Sequence, residues 1–290
     1  MRFKQLLLPL FLLIVTQAEA QYSDSVAVRK ARWQKVRIAK DVRLYRYHFN
    51  AKELFSANEF ISYLEVKRPG KRAMLEIGYE KQELKTVPAF GEQAGALAAV
   101  NGTFFDVKNG GSVDFIKSAG QVITQNRLDK DGKRSRHQMA AVVIHNGKPE
   151  IVKWDGSADW ENKLPHDDVM LSGPLLRLNG LDESLDSAAF NKLRHPRTCV
   201  GLRPDGKIIL LTVDGRQEQS AGMSLFELTK LMRWLGCIAA INLDGGGSTT
   251  LWVNAEPDGG VVNYPSDNKK WDHAGTRKVA NVIFVKAKKR

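Results

Sequence analysis

Short apolar runs that end in turns rich in Asp, Asn and Gly recur along this chain, and they constrain its fold more than any other feature. Residues 207–213 form one such run, of β-branched and aliphatic side chains, and Arg203-Pro204-Asp205-Gly206 before it reads as the turn of a hairpin with a strand over 197–202. Residues 238–243 form another, broken by Asp244-Gly245-Gly246-Gly247-Ser248. The same pattern predicts strands over 42–49, 60–66, 73–77, 96–100, 113–116, 121–123, 168–171, 249–253 and 279–285, and a hairpin over 139–154 turning at His145-Asn146-Gly147. Helical spacing is confined to 87–97 and 225–235. In the second, Ser224 is the expected N-cap, Glu227 completes a capping box and Gly236 ends the helix. With no repeat and no evident linker, the reading is one α+β domain: a large mixed, mainly antiparallel sheet and a few packed helices.

The chain's 290 residues divide into three expected parts. Residues 1–20 carry Arg2 and Lys4, an apolar stretch over 6–15 and Ala18-Glu19-Ala20, the three parts of a secretory signal peptide cleaved after Ala20. The apolar stretch is short for a bilayer span. Residues 21–83 supply N-terminal strands and a basic lead-in without period; residues 84–290 form the expected catalytic domain. The product is therefore expected to be secreted or periplasmic, with no stable membrane insertion. Net charge is +12 and stays near +11 once Arg2, Lys4 and Glu19 are removed. In an exported protein that charge points to anionic glycans or other cell-surface polymers as partners, and export argues against nucleic acid. Cys199 and Cys237 are free to pair in an oxidising compartment or to stay as separate buried thiols.

Three polar turns follow apolar strands: 101–106, 214–218 and 242–248. Turns after strand ends can gather polar groups in one crevice, which would bring together Asn101, Asp106, Asp214, Arg216, Glu218, Asn242 and Asp244. Three consecutive glycines let a backbone approach a ligand closely, with N–H groups free to cradle an anion, though a tight hairpin needing positive φ also explains them. Breaking a sugar–phosphate bond calls for carboxylates at the sugar and for charge neutralisation at phosphate. Asp214, Glu218 and Asp244 can supply the first; Arg194, Arg197, Arg216 and Arg277 can supply guanidinium forks. His195 could serve as an acid–base group, but the preferred reading is a loop histidine packed on proline. The other histidines, at 48, 137, 145, 166 and 273, show no paired zinc spacing. Asp106, Asn242 and Asp244 offer oxygens of the kind Ca2+ or Mg2+ takes, although nothing in the sequence requires a metal. Ser172 and Ser248 lack the setting of a nucleophile elbow.

At these residues the sequence resembles the phosphodiester glycosidase family, which includes the lysosomal uncovering enzyme and many bacterial exported proteins. The resemblance is carried by Ala98-Ala99-Val100-Asn101-Gly102-Thr103-Phe104-Phe105, by Arg194-His195-Pro196-Arg197-Thr198, by Val213-Asp214-Gly215-Arg216 with 220–225, and by 240–248. It implies hydrolysis of a sugar-1-phosphodiester, releasing free sugar and a phosphomonoester. It implies that Asn101, Gly102, Arg197, Thr198, Arg216, Asn242, Gly245, Gly246, Gly247 and Ser248 line the site, with Asp244 and Asp214 as the carboxylates and Glu218 in reserve. Cys199 and Cys237 depart from the small apolar residues usual in the family at those places. Two other classes compete: a non-catalytic binder of anionic glycans, supported by the basic charge and scattered tryptophans, and a metal-dependent phosphodiesterase cutting the P–O bond.

Overall fold

A computed structural model describes residues 23–288, so the expected signal segment and the last two residues of the basic tail lie outside the described residues. An eight-stranded sheet runs, in spatial order, Gln34–Ala39, Val42–Leu54, Ala57–Val66, Ile208–Val213, Arg197–Leu202, Ala239–Asn242, Leu175–Leu178 and Leu181–Asp182. A five-stranded sheet runs Lys148–Lys153, Ala140–His145, Asp168–Ser172, Ile116–Ser118 and Gln121–Thr124. A four-stranded sheet runs Leu251–Val253, Ala98–Asn101, Asn281–Ala287 and Ala73–Tyr79, and Lys278–Val279 pairs with Lys85–Thr86. The pairings between these strands are antiparallel. The α+β architecture is the one the sequence predicts.

The strand Ile208–Val213 shows why its sequence lacks alternation. Ile208 and Leu210 face one core, shared by the three large sheets through Leu44, Leu75, Val100, Val142 and Met170. Ile209, Leu211 and Val213 face a second core with Leu225, Leu228, Leu231 and Met232 of the helix Leu225–Trp234. A strand covered on both faces reads as a continuous apolar run. Ser224 caps that helix, accepting from Glu227 N at 3.2 Å while its own N donates to Glu227 Oε2 at 2.9 Å. Gly236, at φ +82°, follows the helix end. The helix Val87–Gln93 starts at Thr86, whose Oγ1 accepts from Ala89 N.

The stretch 21–40, read as aperiodic, holds a helix over 23–30 and the strand Gln34–Ala39. The segment up to residue 83 also enters the central architecture: residues 61–66 of the strand Ala57–Val66 pair with Ile208–Val213, and Ala73–Tyr79 pairs with Asn281–Ala287. Strand pairing with residues more than 100 positions away leaves no local pattern. Cys199 and Cys237 are buried with both thiols free, and burial pushes each thiol's pKa up. Among the described residues no helix is long and apolar enough to cross a membrane.

Candidate active site

The strands Arg197–Leu202 and Ala239–Asn242 are neighbours, so the turn after Asn242 emerges beside Arg197. Asn101, at the end of its own strand, ties this junction together. Its Nδ2 donates to Asp244 O at 2.7 Å, and its Oδ1 accepts from Thr198 Oγ1 at 2.7 Å and from Thr250 N at 3.1 Å. Asp244 N donates to Gly102 O at 3.0 Å. A Cβ on Gly102 would lie 2.2 Å from Asn281 Oδ1, so only glycine fits there. Asn242 Nδ2 donates to Gly173 O and Leu243 O, while its Oδ1 is buried without a partner. Asn101, Gly102, Thr198 and Asn242 thus lie beneath the turn as a buried frame.

The glycines do something other than offer bare amides. Gly245 N donates to Asp244 Oδ1 at 2.9 Å, and Gly246 N donates to Pro196 O at 2.8 Å. The expected amide cradle is therefore not open at these two positions. Instead, the missing side chains admit guanidinium groups. A Cβ on Gly246 would lie 2.9 Å from Arg216 Nη2, and one on Gly247 would lie 2.5 Å from Arg277 Nη2. Gly246 also needs its positive φ of +61°. Arginines from two distant loops lie against adjacent glycines.

Above the turn opens a pocket of about 210 Å3 lined by Phe190, His195, Arg197, Arg216, Asp244, Gly245 and Gly246. Arg197 is almost wholly buried. It donates Nε to Met223 O at 2.8 Å and Nη2 to Phe190 O at 2.7 Å and Leu193 O at 3.0 Å. These carbonyls orient the guanidinium without neutralising it. Among the described residues neither Arg197 nor Arg216 forms a salt bridge. Burial, and then the charge of Arg216, lower the Arg197 pKa to about 10. His195 is also shifted down, by burial and then by the same two arginines, which favours its neutral form.

Asp244 is half-buried in the pocket wall. Burial raises its pKa to about 6 against the Gly245 N–H and the Arg277 charge, and nearby Asp114 pushes in the same upward direction. The Ser248 hydroxyl lies close enough to help hold the charge, yet it falls outside hydrogen-bond geometry and is a buried group without a partner. Asp214 is closed off by comparison. Its carboxylate accepts from Asn263 Nδ2 at 2.7 Å and from Tyr264 N at 2.9 Å, and burial raises its pKa to about 7. It does not line the pocket. Glu218 is exposed at the outer end of its loop, outside the pocket lining, with its backbone carbonyl held by Asn58. Arg194 is committed to Glu227.

Asp106 does not join Asn242 and Asp244. It caps its own turn through Lys108 N, Asn109 N and Asn109 Nδ2 and pairs with Arg127, contacts that lower its pKa. Among the described residues no three His, Cys, Asp or Glu side chains gather into a metal-binding group. The sequence offers Arg277 as one of four guanidinium forks without ranking it, favours a loop role for His195, and gives no sign of the Asp114–His137 pair near the pocket. Only the packing of distant loops reveals these three.

On an antiparallel α+β scaffold, one pocket thus brings together a half-buried carboxylate of raised pKa and two guanidinium groups without carboxylate partners among the described residues. The phosphodiester glycosidase family model matches residues 94–286, and the chain belongs to that family. The N-acetylglucosamine-1-phosphodiester α-N-acetylglucosaminidase of Bos taurus is 29% identical over 243 residues, covering 77% of this chain and 42% of the bovine protein. The Homo sapiens enzyme is 27% identical over 247 residues, covering 78% of this chain and 44% of its own. The chain thus spans less than half the length of these relatives. The solved catalytic domain of the zebrafish enzyme, auto-inhibited by pro-peptide, shares the fold with a TM-score of 0.66 at 22% identity, covering 89% of this chain and 88% of that one. A hypothetical protein from Synechocystis superposes with a TM-score of 0.64 at 15% identity, covering 88% and 64%.

Proposed function

We propose that this protein is an exported hydrolase that cleaves a sugar-1-phosphodiester in a cell-surface or extracellular glycoconjugate. The observation that carries the reading is the pair Arg197 and Arg216, two guanidinium groups without carboxylate partners, lining one pocket with Asp244. Arg197 is buried and Arg216 is exposed beside it; the buried charge without a carboxylate partner is costly and is relieved by a bound anion. A phosphodiester supplies that anion, held by charge-assisted hydrogen bonds from Arg216 and the inward face of Arg197. Asp244 then faces the sugar side, where its carboxylate takes a proton from the water that attacks the anomeric carbon. The C–O bond to phosphate breaks, and the electron pair leaves on the phosphate oxygen. A phosphate monoester needs little help from an acid as it departs, so one carboxylate with neutralising arginines suffices. Family membership and the names of the mammalian relatives support N-acetylglucosamine-1-phosphodiesters as the first substrates to try.

The test is hydrolysis of such a diester by purified protein in 18O-labelled water. Label in the sugar supports cleavage at the anomeric carbon; label in the phosphate would assign the protein to the phosphodiesterases. Saturable glycan binding with no turnover of any diester would favour the non-catalytic binder.

A further inference from the structure

The Asp244 pocket, at about 210 Å3, is smaller than the roughly 300–1,000 Å3 usual for a small-molecule site. A second cavity of about 660 Å3 adjoins it, and Phe190 lines both. This cavity is lined by Phe104, Arg136, His137 and Asp186 among others. Phe104 lies 4.6 Å from the His137 ring and 6.2 Å from Phe190, so two aromatic faces and an imidazole line one chamber. His137 is built into place. Asp114, wholly buried, accepts from His137 Nδ1 at 2.7 Å, from Gln138 Nε2 at 2.9 Å and from Thr103 Oγ1 at 3.2 Å. Thr103 adjoins Gly102, whose carbonyl holds the backbone of Asp244. The carboxylate is only an acceptor, so Nδ1 is the donor of this pair, and whenever the imidazole is neutral its proton sits there. Nε2 is left as an acceptor without a partner among the described residues.

We propose that this chamber is the sugar subsite: a pyranose ring stacks on Phe104 and Phe190, one ring hydroxyl donates to His137 Nε2, and Asp114 positions the imidazole. The inference rests on the glycosidase reading above and adds where the sugar goes. Phosphate held by Arg197 and Arg216 occupies the charged end. The ring attached to it must then extend past Asp244, and Phe190 opens the way into the larger cavity. Carbon faces of a sugar pack on aromatic rings, while its hydroxyls demand fixed acceptors. The Asp114–His137 pair holds such an acceptor in place.

The experiment measures binding of free N-acetylglucosamine and of inorganic phosphate, separately, by titration calorimetry and ligand-observed NMR, to wild type and to His137→Gln, His137→Ala, Phe104→Ala and Arg216→Ala. Sugar affinity is expected to fall about tenfold or more in His137→Ala and Phe104→Ala, with His137→Gln retaining part of it. Phosphate binding in those variants should stay within about twofold, which also shows that they are folded. Arg216→Ala should show the reverse pattern. Kinetics should show KM for the diester rising in His137→Ala with kcat changed far less. Diester cleavage by wild type together with unchanged sugar binding in both His137→Ala and Phe104→Ala overturns the subsite and leaves the reaction standing. Sugar binding lost in those variants, with no diester cleaved by wild type, overturns the reaction and leaves the subsite standing. Parallel loss of sugar and phosphate binding in every variant overturns the division into two subsites.

Discussion

Asp214 and Asp244 follow the two apolar strands that flank Arg197–Leu202, each before a glycine, and burial raises the pKa of both. Their surroundings differ in kind. Asp214 spends its oxygens on Asn263 and Tyr264 N, which knit the loop 263–264 to the central sheet. Asp244 accepts one hydrogen bond from its own turn and otherwise faces a pocket rimmed by arginines. Burial and a raised pKa are therefore insufficient signs of a catalytic acid or base. The separating feature is unspent hydrogen-bonding capacity pointed at open space. On this comparison the proposed chemistry falls to Asp244 and the architecture to Asp214.

Replacing each by its amide tests that division most directly. Asp244→Asn keeps shape and removes the base, so kcat should fall by about 10^3-fold, within the range usual for a lost general base, with the melting temperature nearly unchanged. Asp214→Asn presents an NH2 where one of two donors now finds an oxygen. That unpaired donor costs roughly 1–3 kcal/mol, read as a melting point several degrees lower, while kcat falls by about tenfold at most. Equal losses of kcat in two equally stable variants would erase the distinction. Arg216 sharpens it from the other side. It is exposed, holds no salt bridge and lies on Gly246, so Arg216→Ala should leave stability alone and raise KM for a diester by about 10–100-fold, the worth of a charge-assisted hydrogen bond.

How much of this was legible in the sequence follows from how local each feature is. The capped helix Leu225–Trp234 and the hairpin joining Arg197–Leu202 to Ile208–Val213 depend on neighbours within a few residues, and the pattern gave both. The convergence of the three turns was readable only as a conditional, because strand order is set by pairings across more than 100 residues. Two residues, Asp106 and His137, mislead in opposite ways. Asp106 carries the same turn signature as Asp244, yet it spends its carboxylate on its own loop and on Arg127. His137 shows no motif, because its partner Asp114 lies 23 positions away, in a stretch the sequence reads as a short strand, and no local spacing links the two. The glycines were read for their amides; what they admit are side chains from residues 216 and 277, which no local window contains.

The pH dependence separates the carboxylates by rate and by stability. As a base, Asp244 must be ionised, so kcat/KM should climb as pH rises through about 6 and level above it. A limb near 7 that vanishes in Asp214→Asn would move the chemistry to the wrong residue.

The last effect is thermodynamic. Asp214 has a folded pKa of about 7 against 3.8 for the unperturbed side chain, so between those values the folded protein binds more protons than the unfolded chain. Stability from this group is fully present below the unperturbed value and is lost as pH rises through about 7, by up to about 1.4 kcal/mol per pH unit. Asp214→Asn cannot titrate, so its unfolding free energy should fall less steeply than that of wild type between pH 4 and 7, and the two curves should run parallel above. Buried Glu59, raised to about 9 chiefly by burial, slopes both curves alike and cancels in the difference. Urea unfolding at half-unit pH steps reads that difference. Curves parallel throughout would mean that Asp214 is ionised in the fold at every pH tested, and that the closed carboxylate is held as a charge by Asn263 and Tyr264 after all.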